Sequence, residues 1–172
     1  NFSLGGFITG SVNNTVYNNT INDTGSDGLQ LVSSADFNNI TENTFTNIDT
    51  SSRAMEIETS NNTIDGNNVN MPGTIAIRLQ GGSSNNISNN ILNVTNAGGS
   101  SQVILITSAA DDNIILNNTI VAPNGANFYG IEVAGGDRTN ISGNTINVSG
   151  TNADAIVFAN GDDNNIVAKN TI

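Results

Sequence analysis

Along this chain a pair of aliphatic or aromatic residues five positions apart returns seven times, as Val16/Ile21, Ile40/Phe45, Ile64/Val69, Ile87/Leu92, Ile115/Ile120, Ile141/Ile146 and Val167/Ile172. Successive copies are 23 to 28 residues apart. Upstream of the pairs runs a second pattern, apolar–x–apolar, at Leu29/Leu31, Met55/Ile57, Ile77/Leu79, Ile104/Ile106, Ile131/Val133 and Ile156/Phe158, with Phe2/Leu4 read as its first copy. After the second anchor the alternation resumes, as in Leu92/Val94 and Ile146/Val148. A period of two marks a strand with one buried face. Each unit therefore predicts three short strands joined by turns, every strand sending one or two apolar side chains inward.

Such a unit cannot fold alone. Its few inward side chains do not offset the backbone entropy of ordering it, and both of its edges present unpaired N–H and C=O groups. Stacking the units pairs those groups and completes a continuous core, so the stable object is the stack. Seven coils at the spacing of adjacent strands predict a rod of about 33 Å. Parallel crossovers are nearly always right-handed, and that hand is expected here.

Asparagine is the commonest residue, at 34 of 172. Two residues before the second anchor of each pair stands Asn19, Asn43, Asn67, Asn90, Asn118, Asn144 or Asn170. A second column, Asn14, Asn38, Asn62, Asn85, Asn113 and Asn165, is interrupted only by Thr139. Asn tolerates left-handed backbone in tight bends, and in-register amides can donate to one neighbouring coil while accepting from the other. The columns predict asparagine ladders at the corners, with a role in shape rather than chemistry.

The phrases "NNITENTF", "NNISNNIL", "NISGNTI" and "NNTI" resemble the repeats of right-handed parallel β-helix proteins of the pectate-lyase-like superfamily, including NosD-like and carbohydrate-binding or sugar-hydrolase members. The resemblance covers essentially the whole chain. It implies an all-β fold: one single-stranded right-handed parallel β-helix of about seven coils over residues 1–172. It leaves function open, because the scaffold hosts lyases, hydrolases, adhesins, tailspikes and surface-layer proteins. In sugar-cleaving members the first sheet faces the substrate groove.

Charge and missing residue types narrow the classes. A net charge of −11 with four basic residues argues against nucleic acid and anionic membrane surfaces as partners. Without cysteine or histidine the chain has no disulfide, thiolate metal site, Ser–His triad or imidazole acid–base chemistry. No apolar run reaches membrane-spanning length. The composition fits an extracellular or cell-surface protein.

Four features carry candidate chemistry. On the first strand of each coil the outward column reads Ser3, Gln30, Glu56, Arg78, Leu105, Glu132 and Val157, with Glu58 two positions past Glu56. Glu56, Glu58, Arg78 and Glu132 are candidate catalytic residues. Paired carboxylates suit glycoside hydrolysis, and a carboxylate–arginine set suits proton abstraction from a uronate. A salt bridge between neighbouring coils uses the same residues without chemistry. This column shows no aromatic beside Glu56. In the following turns Asp36, Asp111, Asp137 and Asp163 hold equivalent positions, with Asp112 and Asp162 adjacent. Asp111, Asp112, Asp137 and Asp163 form a candidate calcium site, and Asp is equally a turn-capping residue.

The third strands present outward Thr20, Thr44, Asn68, Ile91, Thr119, Thr145 and Thr171, an interrupted threonine rank of the kind seen on ice-binding faces. Eleven N-x-S/T sequons occur, of which Asn22, Asn93 and Asn147 point outward and are glycosylation candidates.

With Phe2/Leu4 already strand-like and "KNTI" finishing on an anchor, both ends read as uncapped. Self-association, or adjoining coils of a longer chain, is then the expected partner at each end. The leading expectation is a non-catalytic extracellular structural or adhesive module stacked end to end, with no cofactor other than the calcium candidate. The alternative is a lyase or glycoside hydrolase acting on an acidic polysaccharide. A second alternative is an ice- or surface-binding face.

Overall fold

The computed structural model describes residues 5–95, 101–123 and 127–172. Three parallel sheets enclose one core. The first contains Gly6–Thr9, Leu29–Val32, Arg53–Ile57, Ile75–Gln80, Ser101–Thr107, Phe128–Ala134 and Asp154–Ala159, hydrogen-bonded in that order. The second stacks Thr15–Tyr17, Asn39–Thr41, Thr63–Asp65, Asn86–Ser88, Ile114–Leu116, Asn140–Ser142 and Ile166–Ala168. The third stacks Thr20–Asn22, Thr44–Thr46, Asn68–Met71, Ile91–Val94, Thr119–Ala122 and Thr145–Val148. Each strand pairs with its equivalent one coil away, the signature of a β-solenoid, and the repeat alignment matches the register. Ile40, for example, pairs with Val16 and Ile64, and Leu92 with Val69 and Ile120.

The anchors fill the interior. Leu31, Ile40, Phe45, Ile57, Ile64, Leu79, Ile87, Ile106, Ile115, Ile131 and Ile141 have no solvent exposure. Because the core is one side chain deep from each sheet, every anchor touches its counterparts above and below. Each coil therefore supports two others.

The asparagine columns are ladders in atomic detail. Asn67 Nδ2 donates to Asn90 Oδ1 at 3.0 Å, Asn90 to Asn118 at 2.9 Å and Asn118 to Asn144 at 3.0 Å. The same oxygens accept backbone N–H groups, and the second amide hydrogen reaches a carbonyl of the preceding coil, as from Asn90 to Ile64. A buried Asn of this column leaves no side-chain polar group idle, which is the condition for burying an amide without loss.

One expectation about the corners changes. The left-handed residue is not the ladder Asn but the one just before it: Asn18, Glu42, Gly66, Asn89, Asn117, Gly143 and Lys169 along one corner. Along the other corner the positions are Asn13, Phe37, Asn61, Ser84, Asp112, Arg138 and Asn164. Residues that disfavour positive φ occupy it here because the ladder amide and the stacked strands fix the backbone around them.

The second change concerns the first coil. Phe2 and Leu4, and Ser3 between them, lie outside the described residues. The strand that pairs with Leu29–Val32 is Gly6–Thr9, in register Gly6 with Leu29, Phe7 with Gln30 and Ile8 with Leu31. Its first inward position, Gly6, carries no side chain, so the apolar–x–apolar signal fades there although Ile8 packs against the core. Glycine fits because a Cβ would stand 3.0 Å from Leu29 Cδ1.

Candidate functional site

The corners and the third sheet repeat almost monotonously; the outward face of the first sheet does not. Its central rank runs Phe7, Gln30, Glu56, Arg78, Leu105, Glu132 and Val157, fixed by successive pairings. A parallel rank three residues upstream includes Asp27, Arg53, Ile75, Gln102, Tyr129 and Asp154. Two consecutive inward residues separate the ranks, Ala54 and Met55, Ala76 and Ile77, Val103 and Ile104, and this break in the alternation turns both ranks away from the core.

Glu56 is the centre of this face. It points outward, yet only 2% of it is exposed, because arginines cover it from both sides. Arg78 Nε donates to Oε1 at 2.7 Å. Arg53 Nε lies 3.2 Å from Oε2, but its N–H is not aimed at that oxygen, which makes no hydrogen bond. Arg53 and Arg78 keep 28% and 22% of their side chains exposed. Beneath Arg53 the buried Asp27 accepts its backbone N–H at 2.8 Å and lies 3.6 Å from Nη1, while Gln30 Nε2 donates to the other Asp27 oxygen at 2.7 Å. The result is a continuous chain Gln30–Asp27–Arg53–Glu56–Arg78 across three coils.

Burial pushes the Glu56 carboxyl above its ordinary value, and this outweighs the hydrogen bond and charge of Arg78 and the charge of Arg53, which pull it down. A buried carboxyl whose proton affinity is raised, beside an exposed carboxylate just past the end of the same strand, is an arrangement suited to acid–base work. Glu58 supplies that exposed group, with its Cα about 6.6 Å along the strand from Glu56.

Of the sequence candidates, Glu56 and Arg78 are in contact and Glu58 is their near neighbour. Glu132 shares the rank but is separated from Arg78 by the Leu105 strand. Arg53 and Asp27 were not among the candidates. Strict alternation two residues before Met55 and Leu29 would turn both inward; they face outward because the consecutive inward pairs Ala54–Met55 and Gly28–Leu29 break the period. The rank neighbours of Glu56 are Gln30 and Arg78, neither of them aromatic. The register of the first coil brings Phe7 into line, two strands from Glu56 and 53% exposed.

The aspartates of the turns have local partners. Asp111 Oδ1 accepts the Asp137 N–H at 3.0 Å, and Asp137 Oδ1 accepts the Asp163 N–H at 2.8 Å. Arg138 Nε and Nη2 donate to Asp112 at 2.7 and 2.8 Å, with Asp111 Oδ2 at 3.3 Å. These contacts hold the Asp112 carboxyl below the usual carboxylate range, the hydrogen bond from Arg138 being the main cause. Among the described residues no three acidic groups are arranged around a common cation position.

Asn22 and Asn147 are exposed, and Asn93 is half-buried and donates to Asn70 at 3.1 Å. Asn22 is engaged on both ends of its amide, donating to Asp23 and accepting from Thr46 and Asn47. Thr20, Thr119 and Thr145 are exposed on the third sheet, and Ile91 stands in the rank at 53% exposure.

The family model described as "right handed beta helix region" matches residues 1–92. With more than half of the chain matched, the protein belongs to the right-handed β-helix family. Among solved structures it is similar to DFA-IIIase from Arthrobacter chlorophenolicus A6 in complex with GF2, at a TM-score of 0.68 and 13% identity. That similarity covers 99% of this chain and 55% of the other, so this chain spans about half the length of that enzyme. It is also similar to alginate lyase from Paenibacillus sp. str. FPU-7, at a TM-score of 0.50 and 15% identity, covering 92% of this chain and 66% of that one. Comparison with curated proteins gives no match. At these identities the solved structures share the fold.

Proposed function

We propose that this chain is the glycan-engaging β-helix of an enzyme that cleaves a polysaccharide, with the first sheet as the substrate face. The observation that carries the reading is Glu56. Two of the four basic residues in the chain are committed to one buried carboxyl, and burial raises the proton affinity of that carboxyl. Structural neighbours that include a lyase named for a polysaccharide support the direction. Glu56 serves as proton donor to the departing glycosidic oxygen, Glu58 as the exposed carboxylate, and the outer N–H groups of Arg53 and Arg78 as donors to sugar hydroxyls.

The test is product release from a panel of polysaccharides, followed both as new reducing ends and as unsaturated sugars. Glu56→Gln is expected to lower the rate by about 10²-fold or more, and Arg78→Ala to lower it as well. Cleavage that survives both substitutions sinks the assignment.

A second reading is a structural or adhesive module, favoured by the proximity of an arginine to each oxygen of Glu56, as in a salt bridge that only ties coils together. In that case Glu56→Gln changes stability, and the panel shows no product.

A further inference from the structure

We infer that the glycan taken by the first-sheet face is an uncharged, linear one, held by ring stacking at Phe7 and Tyr129 with amide hydrogen bonds between them, and cleaved by hydrolysis rather than elimination. The inference rests on the substrate-face reading above and adds the substrate class.

Three observations lead there. The first is charge. Among the described residues of this face, Asp27, Glu56, Glu58, Glu132 and Asp154 stand against Arg53 and Arg78. Both arginines are already paired with carboxylates. The face is therefore anionic within a chain of net charge −11, and a polyuronate would meet repulsion without an unpaired cation to receive it. This departs from the acidic polysaccharide expected at first.

The second observation is the aromatic pair. Phe7 projects from the central rank with half its surface exposed, and Tyr129 is half-buried on the upstream rank. Five strand steps separate their coils, about 24 Å along the rod. An exposed aromatic ring offers its face to the C–H side of a sugar, which depends on apolar contact and not on charge.

The third is what lies between. Gln30, Gln80 and Gln102 are half-buried on this face, and Gln30 is held by Asp27. Side-chain amides offer both donors and acceptors to sugar hydroxyls.

The chemistry follows from the substrate class. Elimination requires a carboxyl group on the sugar to acidify the adjacent C–H, and a neutral sugar has none. Hydrolysis breaks the glycosidic C–O bond with addition of one water. The Glu56 proton goes to the departing oxygen, and the proton of the attacking water goes to Glu58.

Affinity electrophoresis and calorimetry with the full chain decide the matter, using dextran, galactomannan and a fructan as neutral probes and polygalacturonate and alginate as charged ones. At least one neutral probe is expected to bind with an affinity that changes little between low and moderate salt. Phe7→Ala, at an exposed position outside the acid pair, is expected to weaken binding roughly three- to tenfold with an unchanged unfolding midpoint. Any product is expected as new reducing ends without unsaturated sugar.

Binding confined to the charged probes and stronger at low salt overturns the inference, as does binding to neither class or binding indifferent to both Phe7→Ala and Tyr129→Ala. The two readings fail separately. Neutral binding without cleavage leaves the substrate class standing and removes the enzyme. Cleavage of a uronate lost in Glu56→Gln leaves the enzyme and removes the substrate class.

Discussion

The first sheet and the asparagine corners are built on the same coils but obey different rules. At the corner formed by Asn19 to Asn170 the same amide occupies every coil and repeats the same bonds at 2.9 to 3.1 Å. On the first sheet the inward residues are equally uniform, whereas the outward rank passes from phenylalanine through glutamine, glutamate and arginine to valine. Where stacking fixes the residue, the side chain serves the shape. Where stacking leaves it free, a departure from the column can carry a task. In a solenoid, irregularity on one face is therefore more informative than repetition on the others.

That contrast can be broken most forcefully at the ladder. Asn90→Ala removes the acceptor of two Asn67 donors and strips Ile64 and Asn118 of a partner, all inside the core. A loss of about 2–4 kcal/mol is expected in chemical denaturation. Glu132→Gln, outward on the first sheet, is expected to leave the midpoint unchanged.

Glu56 gives the next largest effect. Its native carboxyl binds a proton more tightly than the unfolded chain does, so the native state holds the extra proton between the ordinary value of 4.5 and the raised one. Stability therefore falls as pH rises through that window, by at most about 1.4 kcal/mol per pH unit. Comparing wild type with Glu56→Gln isolates this slope, which is expected to vanish in the variant. Equal pH profiles would remove the raised carboxyl from the account.

The single break in the outer ladder offers a repair. Thr139 is fully buried with its hydroxyl unpartnered, and Asn165 Nδ2 one coil later is unpartnered as well. Thr139 N–H still bonds to Asn165 Oδ1 at 2.7 Å, so the backbone keeps ladder geometry without the amide. Thr139→Asn is expected to raise stability by about 1 kcal/mol by giving the Asn113 N–H an acceptor. Phe37→Asn, at an exposed corner with φ of 58°, is expected to gain about 0.5–1 kcal/mol from relief of backbone strain. Arg138→Ala, at an exposed pair, is expected to leave the melting temperature unmoved at physiological salt.

Much of this was readable beforehand. The three-strand coil, the register of the three sheets beyond the first strand and both ladders follow from the apolar alternation and Asn columns, because stacking forces equivalent residues into line. The left-handed corner residues were misplaced by one position, since Asn marks the corner from the fixed site beside the strained one. The first strand was misread because Gly6 has no side chain to signal inward direction, and that error hid Phe7. The Glu56–Arg78 contact was foreseen from the outward rank. Its depth was not, because exposure depends on Arg53 and Asp27 folding over the carboxylate, a matter of side-chain direction that spacing does not encode.

The left-handed corners have a use of their own. Phe37, Glu42, Arg138 and Lys169 hold their place although they differ in size and charge, and each sits at the outer edge of a coil. Two such edges mark the rod at intervals of about 4.8 Å. They form a graduated scale on which dyes, cysteines or short epitopes can be mounted at chosen separations, with the interior undisturbed by what is attached.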